Sequence, residues 1–152
     1  MKIPRISITY DFNSLISPDV KANGWRLNLY SLNKNLNNTF LYSYGVGAGN
    51  YRLEDHGAGD SSSMYQIYGI LNLTIRVNSV FRPYIGVHPG FSWNAKSGVY
   101  LNPTAGLDIS FLSIRRGFNE PSIRTFLQAR IEYNTLLSSP FLGLGLVIRY
   151  DK

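Results

Sequence analysis

Cysteine is absent from the 152 residues, which excludes disulfides, thiolate zinc centres and cysteine nucleophiles and leaves stability to strand pairing and packing. Charge is scarce. Asp, Glu, Lys and Arg make up 16% of the chain, against about 25% in an average soluble domain, so a fully water-facing surface is hard to build. Long apolar runs are missing too: Asn, Ser, Gly or Arg interrupts every hydrophobic stretch before it reaches the roughly 18–20 residues of a membrane helix. Helical membrane insertion is therefore excluded. After Lys2 come Pro4 and alternating residues instead of the apolar run and small-residue cleavage site of a secretory signal, so an exported protein is expected here in its mature form. Length and even composition imply a single domain over residues 1–152.

What is present is alternation. Aromatics reach 14%, with eleven Tyr and eight Phe, and apolar and polar residues exchange places with the two-residue period of a strand about eight times along the chain. The clearest run sets Tyr65, Ile67, Gly69, Leu71, Leu73, Ile75 and Val77 against Met64, Gln66, Tyr68, Ile70, Asn72, Thr74 and Arg76. The other runs cover residues 5–12, 25–30, 40–49, 81–93, 99–111, 123–133 and 142–150. Turn-rich stretches separate them at 13–23, 33–38, 54–63, 78–80, 96–98, 114–121 and 134–139. Ala95 and Val99 share the apolar face, which predicts a three-residue hairpin loop at Lys96-Ser97-Gly98. That register sets Phe91 opposite Pro103 and Pro89 opposite Ala105.

Alternation fits two architectures, since a soluble lipocalin-like barrel turns its apolar face inward and a membrane barrel turns it outward. The polar face arbitrates. It is dominated by Gly, Ser, Asn, Tyr and Arg, with rows such as Gly45, Gly47, Gly49 and Gly143, Gly145, where a surface in water would carry mixed Lys and Glu. Inside a narrow barrel the same small residues make room for bulky Tyr and Arg from other strands. All five Lys (2, 21, 34, 96 and 152) fall in turns or near the termini. Seven of ten Arg, namely Arg5, Arg26, Arg76, Arg82, Arg124, Arg130 and Arg149, fall on polar strand faces, where they can pair with Asp11, Asp108 and Glu132 through planar bidentate bonds. Aromatics cluster toward strand ends, among them Tyr10, Phe12, Trp25, Phe40, Tyr65, Phe81, Trp93, Phe111, Tyr133 and Tyr150, as interfacial girdles do. The expected fold is all-β: an eight-stranded antiparallel up-and-down transmembrane β-barrel.

Over essentially its whole length the chain resembles the small outer-membrane barrels of the OmpA and OmpX type. The segment Arg82-Pro83-Tyr84-Ile85-Gly86-Val87 is similar to the Pro-Tyr-x-Gly strand start of such barrels. The final Gly143-Leu144-Gly145-Leu146-Val147-Ile148-Arg149-Tyr150 resembles the C-terminal signal read by the barrel-assembly machinery, although Asp151 and Lys152 follow its aromatic. The resemblance implies a bacterial outer-membrane location and a monomer. Its partners would be the lipid bilayer, including lipopolysaccharide, and the assembly machinery during biogenesis. With an even strand number, it also implies that both termini lie on the periplasmic side.

Catalytic and metal chemistry finds little support. His88 and His56 have no ligand or triad partner at recognisable spacing. His88 is expected to pack in the lumen, and His56 belongs to the Glu54-Asp55-His56-Gly57 loop. Lipid A deacylases of this barrel type use a His-x-Ser pair with a carboxylate, whereas this chain reads His88-Pro89-Gly90. Asp108 and Glu132 read as counter-ions rather than an acid–base pair, because seven Arg against three acids leave a lumen excess of four positive charges. No cofactor and no metal are expected. Nucleic acid is not an expected partner either, since the basic residues form no contiguous patch interleaved with aromatics. Lys2, Lys34, Arg115 and Arg116 fall at one barrel end by strand parity, suited to anionic headgroups. Pro89 and Pro103 are the unusual feature: two missing donors on neighbouring strands predict either a shaping bulge or a lateral seam for a lipid or apolar ligand. The reading is a non-enzymatic structural or anchoring barrel with a plugged polar lumen. Its alternatives are apolar-ligand capture through that seam and a soluble lipocalin-like carrier.

Overall fold

The computed structural model describes residues 2–13, 20–37, 39–55, 59–78, 80–115 and 122–151. Eight strands follow one another: β1 (Lys2–Phe12), β2 (Val20–Asn37), β3 (Phe40–Asp55), β4 (Ser61–Ile75), β5 (Phe81–Asn94), β6 (Gly98–Arg115), β7 (Ser122–Asn134) and β8 (Ser139–Asp151). Each pairs antiparallel with the next, and β1 pairs with β8 to close the barrel. Closure removes every exposed strand edge. The start of β1 and the end of β8 lie at one end, called here the terminal end; the far end carries the β1–β2, β3–β4, β5–β6 and β7–β8 connections.

Polarity divides across the sheet with the two-residue period. Ile8, Leu27, Val46, Ile67, Leu101, Leu127 and Leu146 all stand on the outer face and are exposed, while Ser7, Asn28, Gln66, Asn102 and Gln128 on the opposite parity are buried inside. Aromatics bound the apolar band at both ends. Trp25, Tyr65 and Trp93 sit toward the far end, where Tyr10 meets Trp25 edge-on at 5.0 Å and Tyr65 stacks on Trp93 at 5.9 Å. Phe40, Phe81 and Tyr150 sit toward the terminal end.

Two strands are longer than the sequence predicts at the far end: β2 begins at Val20 and β3 runs to Asp55. There the alternation continues with its polarity reversed. Ala22, Tyr51, Leu53, Met64 and Phe141 turn inward and form a buried apolar cluster, while Arg52 and Glu54 point outward as an exposed ion pair at 3.4 Å. A reading that equates apolar with outward takes such residues for loop. The β5–β6 connection differs as well. The last pair is Ser92↔Gly98, so five residues, 93–97, form the loop in place of Lys96-Ser97-Gly98. Ser92 Oγ donates to the Lys96 carbonyl at 2.6 Å, and Asn94 takes the left-handed φ of 78°. Phe91 consequently faces Val99, and Pro89 faces Leu101. The displacement is by an even number of residues, so every side chain keeps its face.

Candidate functional site in the barrel lumen

Charged side chains gather inside the barrel in two layers. The layer toward the far end is built from Asp11 on β1, Arg26 on β2, and Arg130 and Glu132 on β7. Arg26 grips Glu132 with both terminal nitrogens, at 2.8 and 2.6 Å, while its Nε lies 2.6 Å from Asp11 and donates to the Tyr51 hydroxyl. Tyr51 in turn donates to Asp11 at 2.7 Å, and Arg130 Nη2 reaches both Asp11 oxygens at 2.6 and 2.7 Å. His88 Nδ1 lies 2.7 Å from Glu132, and Asn102 donates to the same carboxylate at 2.9 Å. Two guanidiniums thus meet two carboxylates, with the remaining lone pairs taken by neutral donors, the condition for a buried ion cluster to be tolerated. The glycine rows make this possible: a Cβ on Gly143 would stand 2.4 Å from Asp11 Oδ1, and one on Gly47 would stand 2.4 Å from the Tyr68 ring.

Toward the terminal end lie Arg5, Arg82, Arg124, Arg149 and Asp108. Arg5 Nη1 donates to Asp108 Oδ2 at 3.0 Å, and Gln128 donates to the other oxygen at 2.9 Å. Arg5, Arg82 and Arg149 converge on the fully buried ring of Phe126, their guanidinium carbons 5.3, 5.0 and 5.8 Å from its centroid. Arg76 does not join them. β4 ends at Ile75 and the chain leaves the sheet there, so Arg76 is exposed at the rim, its N–H bonded to the Thr39 carbonyl at 2.8 Å.

The two prolines do not form a seam between their own strands. The β5–β6 ladder runs unbroken from Phe81↔Ile109 to Ser92↔Gly98, through Pro89↔Leu101 and Val87↔Pro103. Each proline instead interrupts the ladder on its other side. Pairing of β4 with β5 lapses between Tyr68↔Gly90 and Leu71↔Val87, opposite Pro89, with the register unchanged beyond. Pairing of β6 with β7 stops at Thr104↔Glu132, beside Pro103. A proline has no N–H to give the strand its nitrogen faces, and that strand is β4 for Pro89. The lapse coincides with an apolar groove of about 620 Å³ on the outer face, bounded by Leu27, Val46, Ile67, Gly69, Pro89 and Phe91.

No family model and no curated protein matches the sequence. Solved structures do. Neisserial surface protein A matches over 99% of this chain and 97% of its own, with a TM-score of 0.58 and 13% identity. The fold is that of the small eight-stranded outer-membrane barrels. The attachment invasion locus protein Ail of Yersinia pestis, solved with the heparin analogue sucrose octasulfate, covers 98% of this chain and 96% of its own at TM-score 0.57 and 15% identity. The outer-membrane enzyme PagL covers 95% and 97% at TM-score 0.50 and 14% identity.

One of these barrels is an enzyme, which directs attention to the histidines. His88 is buried and stacked on Tyr68 at 5.4 Å; among the described residues it is bonded to Glu132 alone, and its Nε2 has no hydrogen-bond partner there. Among the described residues no hydroxyl bonds to it, and no group of three or more His, Cys, Asp and Glu stands in metal-binding arrangement. His56 and Arg116 lie outside the described residues. Tyr51, Asn102 and Gln128, which complete the two layers, carried no sequence signal beyond their parity. Phe126 did: it is a large aromatic on the otherwise polar parity of β7.

Proposed function

We propose that the protein is a non-enzymatic integral barrel of the bacterial outer membrane, a structural or anchoring element whose lumen is plugged. The observation that carries this reading is the outer band. From Trp25 and Trp93 at one end to Phe40 and Phe81 at the other, the outer residues of β1, β2, β4, β5, β7 and β8 are uncharged and either exposed or half-buried, a surface suited to acyl chains and not to water. The matched two-by-two ion cluster and the apolar cluster beyond it fill the far half of the lumen, which supports a barrier more than a pore. The alternating final strand, Gly143 to Tyr150, supports insertion by the barrel-assembly machinery, and the closed sheet supports a monomer in a bilayer that includes lipopolysaccharide.

Refolding into detergent and running the unboiled protein on a gel tests the reading. The expected result is compact migration that shifts on boiling, with Val46→Arg, a charge in the middle of the outer band, lowering folded stability by about 2–4 kcal/mol. A chain that stays monomeric and folded in buffer without detergent would overturn it. The groove at Pro89 and Gly69 favours a second reading, capture of a lipid acyl chain on the outer face. A Cβ on Gly69 would first meet Pro89 Cγ at 3.5 Å, so Gly69→Leu fills the groove without breaking the wall. If that variant immobilises as much spin-labelled phospholipid as the wild type, the second reading fails.

A further inference from the structure

The outer face changes character along one column of β3. From the middle of the apolar band toward the far end its outward residues read Val46, Ala48, Asn50, Arg52 and Glu54: apolar, then an amide, then charge, in steps of about 7 Å. The neighbouring strands change in register with it. Asn50 stands between Trp25 of β2 and Tyr65 of β4, Arg52 between Asn23 and Ser63, and Glu54 between Lys21 and Ser61. The aromatic tier marks the boundary of hydrocarbon and headgroups, so the tier of Asn23, Arg52 and Ser63 lies at headgroup depth. It offers an amide, a guanidinium and a hydroxyl from three strands, with Arg52 exposed and the other two half-buried. The contact of Arg52 with Glu54 is exposed, at 3.4 Å, a pair of little net strength that a better acceptor can replace. Lys21, Arg52 and Glu54 together give this patch one net positive charge.

The groove beside Pro89 does not end in the middle of the wall. It shares Leu27, Ala48 and Ile67 with a second hollow of about 550 Å³ that continues to Trp25, Asn50, Tyr65 and Trp93. The two make one trough from the lapse at Pro89 to the aromatic tier, next to the Arg52 tier. We propose that the trough and the tier above it seat a glycerophospholipid, with an acyl chain along Pro89, Gly69 and Ala48, the glycerol esters at Asn50 between Trp25 and Tyr65, and the phosphodiester against Arg52, Asn23 and Ser63. The assignment rests on the reading of the groove as an acyl-chain site. The order of groups along the lipid, chain then ester then phosphate, is the order of side chains along β3. A guanidinium flanked by neutral donors suits a phosphodiester, whose single negative charge answers the single net positive charge of the patch. Lipid A carries two phosphates and exceeds that charge.

Trp25 and Trp93 are the two tryptophans of the chain and both border the trough, so their fluorescence reports on it. The barrel is refolded into phosphatidylcholine vesicles that contain, in separate arms, phosphatidylcholine, phosphatidylglycerol or diacylglycerol brominated in the same acyl chain. The two phospholipids should quench at similar mole fractions. Diacylglycerol, which lacks the phosphate, should need about two- to fivefold more, the scale of an exposed charge contact. Arg52→Gln should bring the phospholipids to the diacylglycerol level, and Arg52→Lys should keep part of the difference. Gly69→Leu should lower quenching in all three arms. Heat-modifiable migration reports whether each variant has folded; where Arg52→Gln does not, the wild-type comparison of the three lipids decides. Undiminished quenching in Gly69→Leu would remove the acyl-chain reading and this assignment with it. With Gly69→Leu responding, three results would each overturn the phosphate assignment alone: equal quenching by the three lipids, an undiminished difference in Arg52→Gln, or unlabelled lipid A displacing brominated phosphatidylcholine at a lower mole fraction than unlabelled phosphatidylcholine does.

Discussion

The two halves of the lumen are built from the same side chains to opposite effect. In the far half Arg26 and Arg130 each meet a carboxylate at 2.6 Å, and hydrogen bonds from Tyr51 and Asn102, with His88 beside Glu132, occupy the remaining oxygens. In the terminal half Arg5, Arg149 and Arg124 stand side by side across the ladders of β8, and Arg5, Arg82 and Arg149 gather on the ring of Phe126. The far half is closed to further partners because every strong acceptor has been used. The terminal half is built instead on guanidiniums stacked around an aromatic ring, so the same side chain is held by two different kinds of contact at opposite ends of one tube.

The comparison is broken most severely by removing Glu132. It accepts from both Arg26 terminal nitrogens and from Asn102, and it pairs with His88. Glu132→Ala leaves those donors buried beside a second arginine, and breaking a buried ion pair in this way costs about 3–5 kcal/mol. The urea midpoint of the barrel in phospholipid vesicles should fall accordingly, and a fall of under about 1 kcal/mol, the scale of an exposed pair, would show that the cluster is far wetter than its burial implies.

A smaller effect is expected from the wall behind the cluster. Gly143→Val places a Cβ 2.4 Å from Asp11 Oδ1 and 3.1 Å from Arg130 Nη2, and overpacking of this sort costs about 1–3 kcal/mol. Gly69→Val, on the outer face of β4 where the nearest atom is 3.5 Å away, should stay within about 0.5 kcal/mol of the wild type. Equal losses at the two glycines, measured by the same urea titration, would mean that backbone freedom and not lumen packing sets their cost.

Much of this was legible in the residue order, because a lipid-facing wall imposes a strict two-residue period and that period assigns a face to nearly every side chain. Parity placed Arg5, Arg26, Arg82, Arg124, Arg130 and Arg149 inside, with Asp11, Asp108 and Glu132. It could not assign depth. Arg26 meets Glu132 across 106 positions and Arg5 meets Asp108 across 103, contacts decided by the stagger of strands around the barrel and by loops such as 93–97 whose length the pattern left two residues short. Arg76 shows the same limit, since parity set it inside a strand that ends one residue earlier. The proline seam misled for a related reason. A residue's parity tells which face its side chain takes, but not which neighbouring strand its nitrogen faces.

The smallest effect is the most telling, because its size distinguishes the halves. Arg82→Met keeps an apolar stem over Phe126 and removes a charge that stands opposite Asp108 on β6 but also beside Arg5 and Arg149 around the same ring, so gain and loss offset and stability should change by no more than about 1 kcal/mol, the scale of a cross-strand charge pair. Arg26→Met in the far half should instead cost about 3–5 kcal/mol, since it strands Glu132. A loss at Arg82 as large as the loss at Arg26 would make the terminal row an ordinary part of the structural network and erase the distinction between the two layers.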